Sequence, residues 1–426
     1  MRTENGTEKR RSKGIASSAA LILIVVLVAL FGYNILRNPT VSQSIASLLH
    51  TETLPATTSS SGGSEPSTQP LVDWSKGARK HSTLSGHSNI ISSVSFSPDG
   101  RYALTGSHDK TAKLWSIADG TCVKTFSGHS DSVRSVAYSP DGKYALTGSY
   151  DNTAKLWSLP DGTCIKTLIG HSNWIKSVVF SPDGRYAITE SLDGTAKLWS
   201  MPDGTCISTL SSYGSIWLYS VAFSLDGRYL LSGSDDNSAK LWSIPDGECV
   251  KVLSGHSGHV LSVAFSPDGR YALTGSGDNT SKLWSIPDGA CVKTLSGHGS
   301  NVFSVAFSPD GRYALTGSSD STAKLWSIPD GTCLKTLSGH SDYVCSVAFS
   351  PDGLYALTGS GDGSSKLWSI PDGTCVKTLN LPGGLIDAKF SPDGRYILCG
   401  CGEDYTSGSG VKPPEGYVAT LFECAS

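Results

Sequence analysis

From Ala78 to the C-terminus, short apolar-rich runs alternate with turn signals, and no stretch keeps a helical period. Ser296 to Leu337 shows the unit. Val302 to Phe307 is a β-rich run that stops at Ser308-Pro309-Asp310-Gly311, and Arg312 to Ser318 is a second, ended by Ser319-Asp320-Ser321. Thr322 to Ile328 is a third, ended by Pro329-Asp330-Gly331, and Thr332 to Leu337 is the fourth. Proline suits the first central position of a turn, and glycine supplies backbone freedom after it. The unit returns at a fixed spacing: Leu-Trp occurs seven times, from Leu114-Trp115 to Leu367-Trp368, 42 or 43 residues apart. A period of that length marks a repeat architecture, and four recurring antiparallel strands predict one blade of a propeller.

The Gly-His pairs that recur at one place in the unit (six, from Gly86-His87 to Gly339-His340), the Ser-x-Asp turns and the Leu-Trp pairs resemble the WD-repeat β-propellers over residues 78–426. One departure is uniform. The aspartate that usually follows the tryptophan is serine here, as in Ser327, which removes one surface charge per blade. The resemblance implies a hydrogen-bonded relay in each blade, which in the sixth unit links Trp326, a strand hydroxyl (Thr316 or Ser318), His298 and Asp320. A buried indole N–H and an imidazole both need partners, and a carboxylate fixes the histidine tautomer. A His-Asp-Ser set can also be read as a nucleophilic triad. Repetition in six units favours structure, so no catalytic residue is assigned.

Ala78 to His87 ends like a fourth strand but arrives before any first strand. At the far end, Leu385 to Phe390, Arg395 to Cys401 and Tyr417 to Phe422 read as three strands lacking a fourth. The N-terminal strand is expected to complete that last blade, giving an all-β ring of eight four-stranded blades, or seven if the divergent tail packs elsewhere. Closure removes open sheet edges. Two units break the pattern. The fourth has Tyr213 in place of histidine, and the eighth has Phe422 in place of tryptophan and a long loop, Gly402 to Gly416.

A net charge of −3 with no long basic run gives no support to nucleic-acid binding. Of eleven cysteines, seven recur at one place in the fourth strand (Cys122, Cys164, Cys206, Cys249, Cys291, Cys333, Cys375). On separate blades they lie beyond disulfide reach and are expected to be small buried hydrophobes. Cys399 and Cys401 share a strand face, and either is a candidate to pair with Cys424. These three lack a fourth ligand for a metal, so neither a metal site nor a cofactor is expected.

The N-terminal part differs in kind. Residues 1–14 are polar and basic, and residues 15–36 carry no charge around LILIVVLVALF. As a helix, 22 residues reach about 33 Å, enough to cross a hydrocarbon core. A cleaved signal peptide is the alternative, but the apolar run is long and no Ala-x-Ala site closes it. The basic side precedes the span, so the positive-inside rule predicts a cytoplasmic N-terminus and a propeller on the extracytoplasmic side. Residues 37–77, rich in Ser, Thr and Pro, are expected to be a flexible linker.

Among units this alike, the differences carry information. Residues just after Gly-His and before the turn aspartate vary freely, and in the family these surround the central channel on one face. Blades two to four combine Tyr150, Trp174, Trp217 and Tyr219 with Arg134 and Lys176, and later blades add His259, Phe303 and Tyr343. Exposed aromatics with arginine have the composition of interface anchors. The reading is a membrane-anchored scaffold for a protein or peptide partner. The alternative is a binder of carbohydrate or cell-envelope polymer, and an enzyme is not expected.

Overall fold

A computed structural model describes residues 72–211, 218–381, 385–401 and 417–425. The segments 1–14 and 15–36, the linker up to residue 71, Tyr213, Trp217 and the loop 402–416 lie outside the described residues. Among the described residues no helix is long and apolar enough to cross a membrane.

Among the described residues, thirty-two strands form eight four-stranded antiparallel sheets, one per blade. In blade 6 the strands are β22 (Val302–Phe307), β23 (Tyr313–Ser318), β24 (Thr322–Ser327) and β25 (Cys333–Ser338). Each falls between the predicted turn signals. The turn after β22 is built as its residues dictate: Ser308 Oγ donates to Asp310 Oδ1 at 2.6 Å and accepts from Tyr313 N at 2.9 Å. Gly311 there has φ +70°, a conformation glycine adopts without strain.

The eighth sheet has the order β1 (Ala78–His87), β32 (Tyr417–Cys424), β31 (Tyr396–Cys401), β30 (Leu385–Phe390), so the first strand closes the last blade. Eight blades, not seven, make the ring. Closure runs deeper than β1. Residues 72–77, expected to belong to the linker, are part of the propeller. Trp74 is fully buried in a short 3-10 turn (Trp74–Lys76), and its indole donates to Gly394 O at 3.0 Å. Asp73 accepts from Tyr355 Oη at 3.1 Å in blade 7. A tryptophan inside a polar stretch was the available signal.

The core lies between blades. Leu315, Leu325 and Leu337 of blade 6 pack on Val344, Val347 and Trp368 of blade 7, and every seam repeats this with its own residues. Serine hydroxyls also stitch neighbouring inner strands, as where Val347 N donates to Ser304 Oγ at 3.1 Å. At the closing seam Asp387 replaces that serine and accepts from Val94 N.

The seven repeated cysteines are exposed rather than buried. They lie on the outermost strand, where only the fifth residue (Leu337 in blade 6) faces the neighbouring layer. Position on the sheet edge overrides the apolar character of the side chain. Cys399 is a buried thiol 3.6 Å from Ser365 Oγ, and Cys424 is a separate thiol, so these two are not joined. The Cys401 side chain is outside the described residues.

Candidate functional site

The relay runs through a threonine. In blade 6 Trp326 Nε1 donates to Thr316 Oγ1 at 2.9 Å, His298 Nε2 meets the same hydroxyl at 2.8 Å, and His298 Nδ1 lies 2.8 Å from Asp320 Oδ2. One proton arrangement gives every group a partner: the threonine hydroxyl donates to Nε2, and the neutral imidazole donates through Nδ1 to the carboxylate. Ser318, the other expected member, stands outside this chain. Its hydroxyl accepts from Asp320 N at 3.1 Å and donates to Ser300 O at 3.0 Å, holding the turn. The alternation of side chains along β23 sends residues 316 and 318 to one face, and the depth of the tryptophan selects the inner one.

Charges follow the same geometry. Burial pushes the His298 pKa down, more than Asp320 raises it, so the ring stays neutral. Burial acts to raise the Asp320 pKa, but hydrogen bonds from Thr322, Gly299 N and His298 outweigh it and hold the carboxyl at about 2. Thr316 and the His298 ring are closed off from solvent, and Asp320 is the member nearest the surface.

Blade 4 is wired differently. Trp242 donates to Ser232 Oγ at 2.9 Å, and Lys240 turns inward onto Asp236 and onto Ser238 Oγ at 3.2 Å. In the regular blades this lysine reaches across to the outer strand, as Lys324 Nζ does to Thr336 Oγ1 at 2.8 Å. In blade 4 that outer position is Val252, which has no acceptor. The Val252 substitution was the readable signal.

The rim residues form adjacent pairs around the ring rather than one cluster. Tyr150 stacks on Trp174 with centroids 4.3 Å apart and planes within 13°, and Trp174 remains 44% exposed. Arg134 Nη1 donates to Ser92 O at 2.9 Å. Lys176 Nζ crosses to Leu218 O at 3.1 Å and lies 4.9 Å from the centre of the Tyr219 ring. Tyr219 in turn meets His259 at 6.0 Å, and His259 Nδ1 contacts Asp235 O at 2.8 Å. Phe303 meets Tyr343 edge-on at 6.0 Å. A Cβ at residue 361 would sit 2.6 Å from the Tyr343 ring, so Gly361 makes the room that ring uses. Trp217 is not described. Arg134 and Lys176 are thus half-buried braces between blades as well as rim cations.

Most of these positions lie where first strands begin, and Tyr150 and Gly361 follow second strands at the same end of their blades, bonded to Ser132 O and Tyr343 O. Trp74 docks at Gly394, in the turn where β30 ends, so the chain enters the propeller on the face opposite the rim. Among the described residues no group of three or more His, Cys, Asp or Glu side chains is placed to hold a metal ion.

One residue escaped the sequence reading. Glu190 stands in the second strand of blade 3, where the other seven blades have glycine, and it is 1% exposed. The odd letter in an otherwise constant column was visible, but its burial depends on the next blade.

The comparisons agree with this architecture. The family model for the WD domain, G-beta repeat (WD40), matches eight times, at residues 78–116, 120–158, 162–200, 204–243, 247–285, 289–327, 331–369 and 373–406. Ribosome biogenesis protein BOP1 homologues of Drosophila willistoni and Drosophila melanogaster are 50% identical over 40 residues, 9% of this chain and 5% of theirs. The chain therefore spans only a small part of those relatives, about the length of one repeat. The crystal structure of the computationally designed Ika8 protein is similar with a TM-score of 0.68 and 25% identity, over 79% of this chain and 98% of that one. With eight matched repeats, eight blades and the Trp-Thr-His-Asp relay, this chain belongs to the WD-repeat family of β-propellers.

Proposed function

We propose that the chain is a non-catalytic scaffold that binds a protein partner through the rim and is held at a membrane by residues 15–36. The observation that carries the binding part is the Tyr150–Trp174 stack, which keeps a large apolar ring presented to solvent. A rigid aromatic loses little conformational entropy on docking and is the commonest kind of interface anchor. The charge-free span with basic residues before it supports a single-pass anchor, a cytoplasmic N-terminus and an extracytoplasmic propeller. The similarity to the ribosome biogenesis proteins covers one repeat and lends no role to this reading.

The test is affinity capture from a membrane extract with wild type and the Tyr150→Ala/Trp174→Ala variant. A protein retained by wild type and lost by the variant supports the scaffold. Equal retention overturns the rim, and a captured glycan replaces the protein partner with a carbohydrate. Protease protection on intact cells tests the orientation: a shielded propeller contradicts it.

A further inference from the structure

The seam between blades 3 and 4 departs from the other described inter-blade seams. In blade 2 a Cβ on Gly148 would sit 2.7 Å from methyl groups of both Ile175 and Val178 in the next inner strand, and in blade 6 the Gly317 position is as tight against Val344 and Val347. A side chain at this place therefore has to push the neighbouring inner strand away. Blade 3 carries Glu190 there, on β11 (Tyr186–Ser191). The inner strands β10 (Ile175–Phe180) and β14 (Leu218–Phe223) approach less closely than any other neighbouring inner pair. The serine stitch made at Ser135–Val178 and Ser220–Val263 is not made between Ser177 and Val221.

The wedge is polar and unanswered. Both carboxylate oxygens of Glu190 are buried without a hydrogen-bond partner. A carboxylate in an apolar seam is expensive unless something compensates it. Lys176 lies near enough to interact electrostatically, but its ammonium is spent on Leu218 O and the Tyr219 ring at the mouth of the seam. That arrangement shows the mouth accommodating a cation against an aromatic face. The charged and titratable groups around it are Lys176 on β10, Tyr219 on β14, Arg134 on the inner strand of blade 2 and Asp235 in the blade 4 turn.

We propose that the seam between blades 3 and 4 binds a guanidinium group, an arginine side chain of the protein partner, with the Glu190 carboxylate as its counter-ion. Two unpaired oxygens match the planar fork of guanidinium, which an ammonium cannot fill in the same way. Lys176 swings out to water as the guest enters. The proposal rests on the protein-binding reading and names the chemistry of its partner. Burial raises the Glu190 pKa, so binding releases a proton when the carboxyl is protonated beforehand, and affinity strengthens as pH rises.

The full-length chain in detergent micelles is titrated calorimetrically with N-acetyl-arginine methylamide, and in parallel with the neutral citrulline analogue. The arginine probe is expected to bind wild type, and Glu190→Gln to weaken it by about tenfold or more. Lys176→Met, which removes the competing ammonium, is expected to strengthen it. Should the glutamine variant misfold, Glu190→Gly restores the residue of the other blades and is expected to fold and to lose the probe. No binding to wild type, equal binding of citrulline, or unchanged binding after Glu190→Gly overturns the site. If the probe fails while Tyr150→Ala/Trp174→Ala still releases the partner, the seam falls and the rim stands. The reverse result removes the rim and keeps the seam.

Discussion

Blades 4 and 6 share a third strand but for its first residue, Ser238-Ala-Lys-Leu-Trp-Ser243 against Thr322-Ala-Lys-Leu-Trp-Ser327, yet their lysines take different partners. Lys324 lies outward on Thr336, while Asp320 is served by His298. Lys240 is buried on Asp236, with Val252 opposite it offering nothing. The lesson is that the turn carboxylate demands a donor, and the blade supplies whichever one its neighbours leave over. An imidazole does this without charge. An ammonium does it as a buried ion pair, whose attraction is set against the cost of leaving water.

The largest effect should come from what the two blades share. Trp326 and Trp242 are both nearly inaccessible to solvent, and each donates to a strand hydroxyl. Trp326→Ala is expected to destabilise the propeller by about 3–5 kcal/mol in urea unfolding. Trp242→Ala should cost a similar amount, because ring burial outweighs the identity of the relay. A near-neutral shift in either would mean that the indole is not the keystone of its blade.

Acid should separate the two wirings. His171, His256, His298 and His340 all have pKa values lowered by burial, which outweighs the aspartate beside each. A folded-state pKa below the unfolded one gives stability that is whole above about 6.5 and is lost as pH falls through the folded value. The carboxylates act lower: Asp278 and Asp320 sit at about 2 against an ordinary 3.8, so their share is complete above 3.8 and disappears toward 2. Melting temperature is therefore expected to fall in two stages on acidification. His298→Gln should shrink the upper stage. An unchanged upper stage in that variant would show that the histidine is not buried as a neutral base.

Much of this was legible along the chain. Blade 6 could be read because each of its strands ends on its own turn signal, and closure could be read because Ala78–His87 matches a strand that the C-terminus lacks. Properties set by a neighbour were not legible. The cysteines were misjudged because an outer strand meets water on its open edge, whatever its apolar content. Ser318 and Thr316 share a face, and only the reach of Trp326 from the next strand chooses between them. Trp174 could be named as a rim candidate from its place after Gly-His, whereas its exposure and its stacking on Tyr150 depend on the neighbouring blade, since Ile90 at the same place is buried.

The finest test converts one wiring toward the other. Val252→Thr places on blade 4 the hydroxyl that Thr336 offers on blade 6, directly across from Lys240. Lys240 then has an outward partner and regains water along its stem, but Asp236 loses its closest donor and keeps the bonds from Ser238. The two changes oppose each other, so the net effect should be within about 1 kcal/mol, the scale of one hydrogen bond. The telling readout is position rather than stability. Burial and the inward pairing hold the Lys240 amine away from reagents, so amine acetylation followed by mass spectrometry should mark Lys240 more readily in Val252→Thr than in wild type. Equal labelling would mean that Val252 does not direct the lysine inward, and that the demand of Asp236 alone accounts for the difference between the blades.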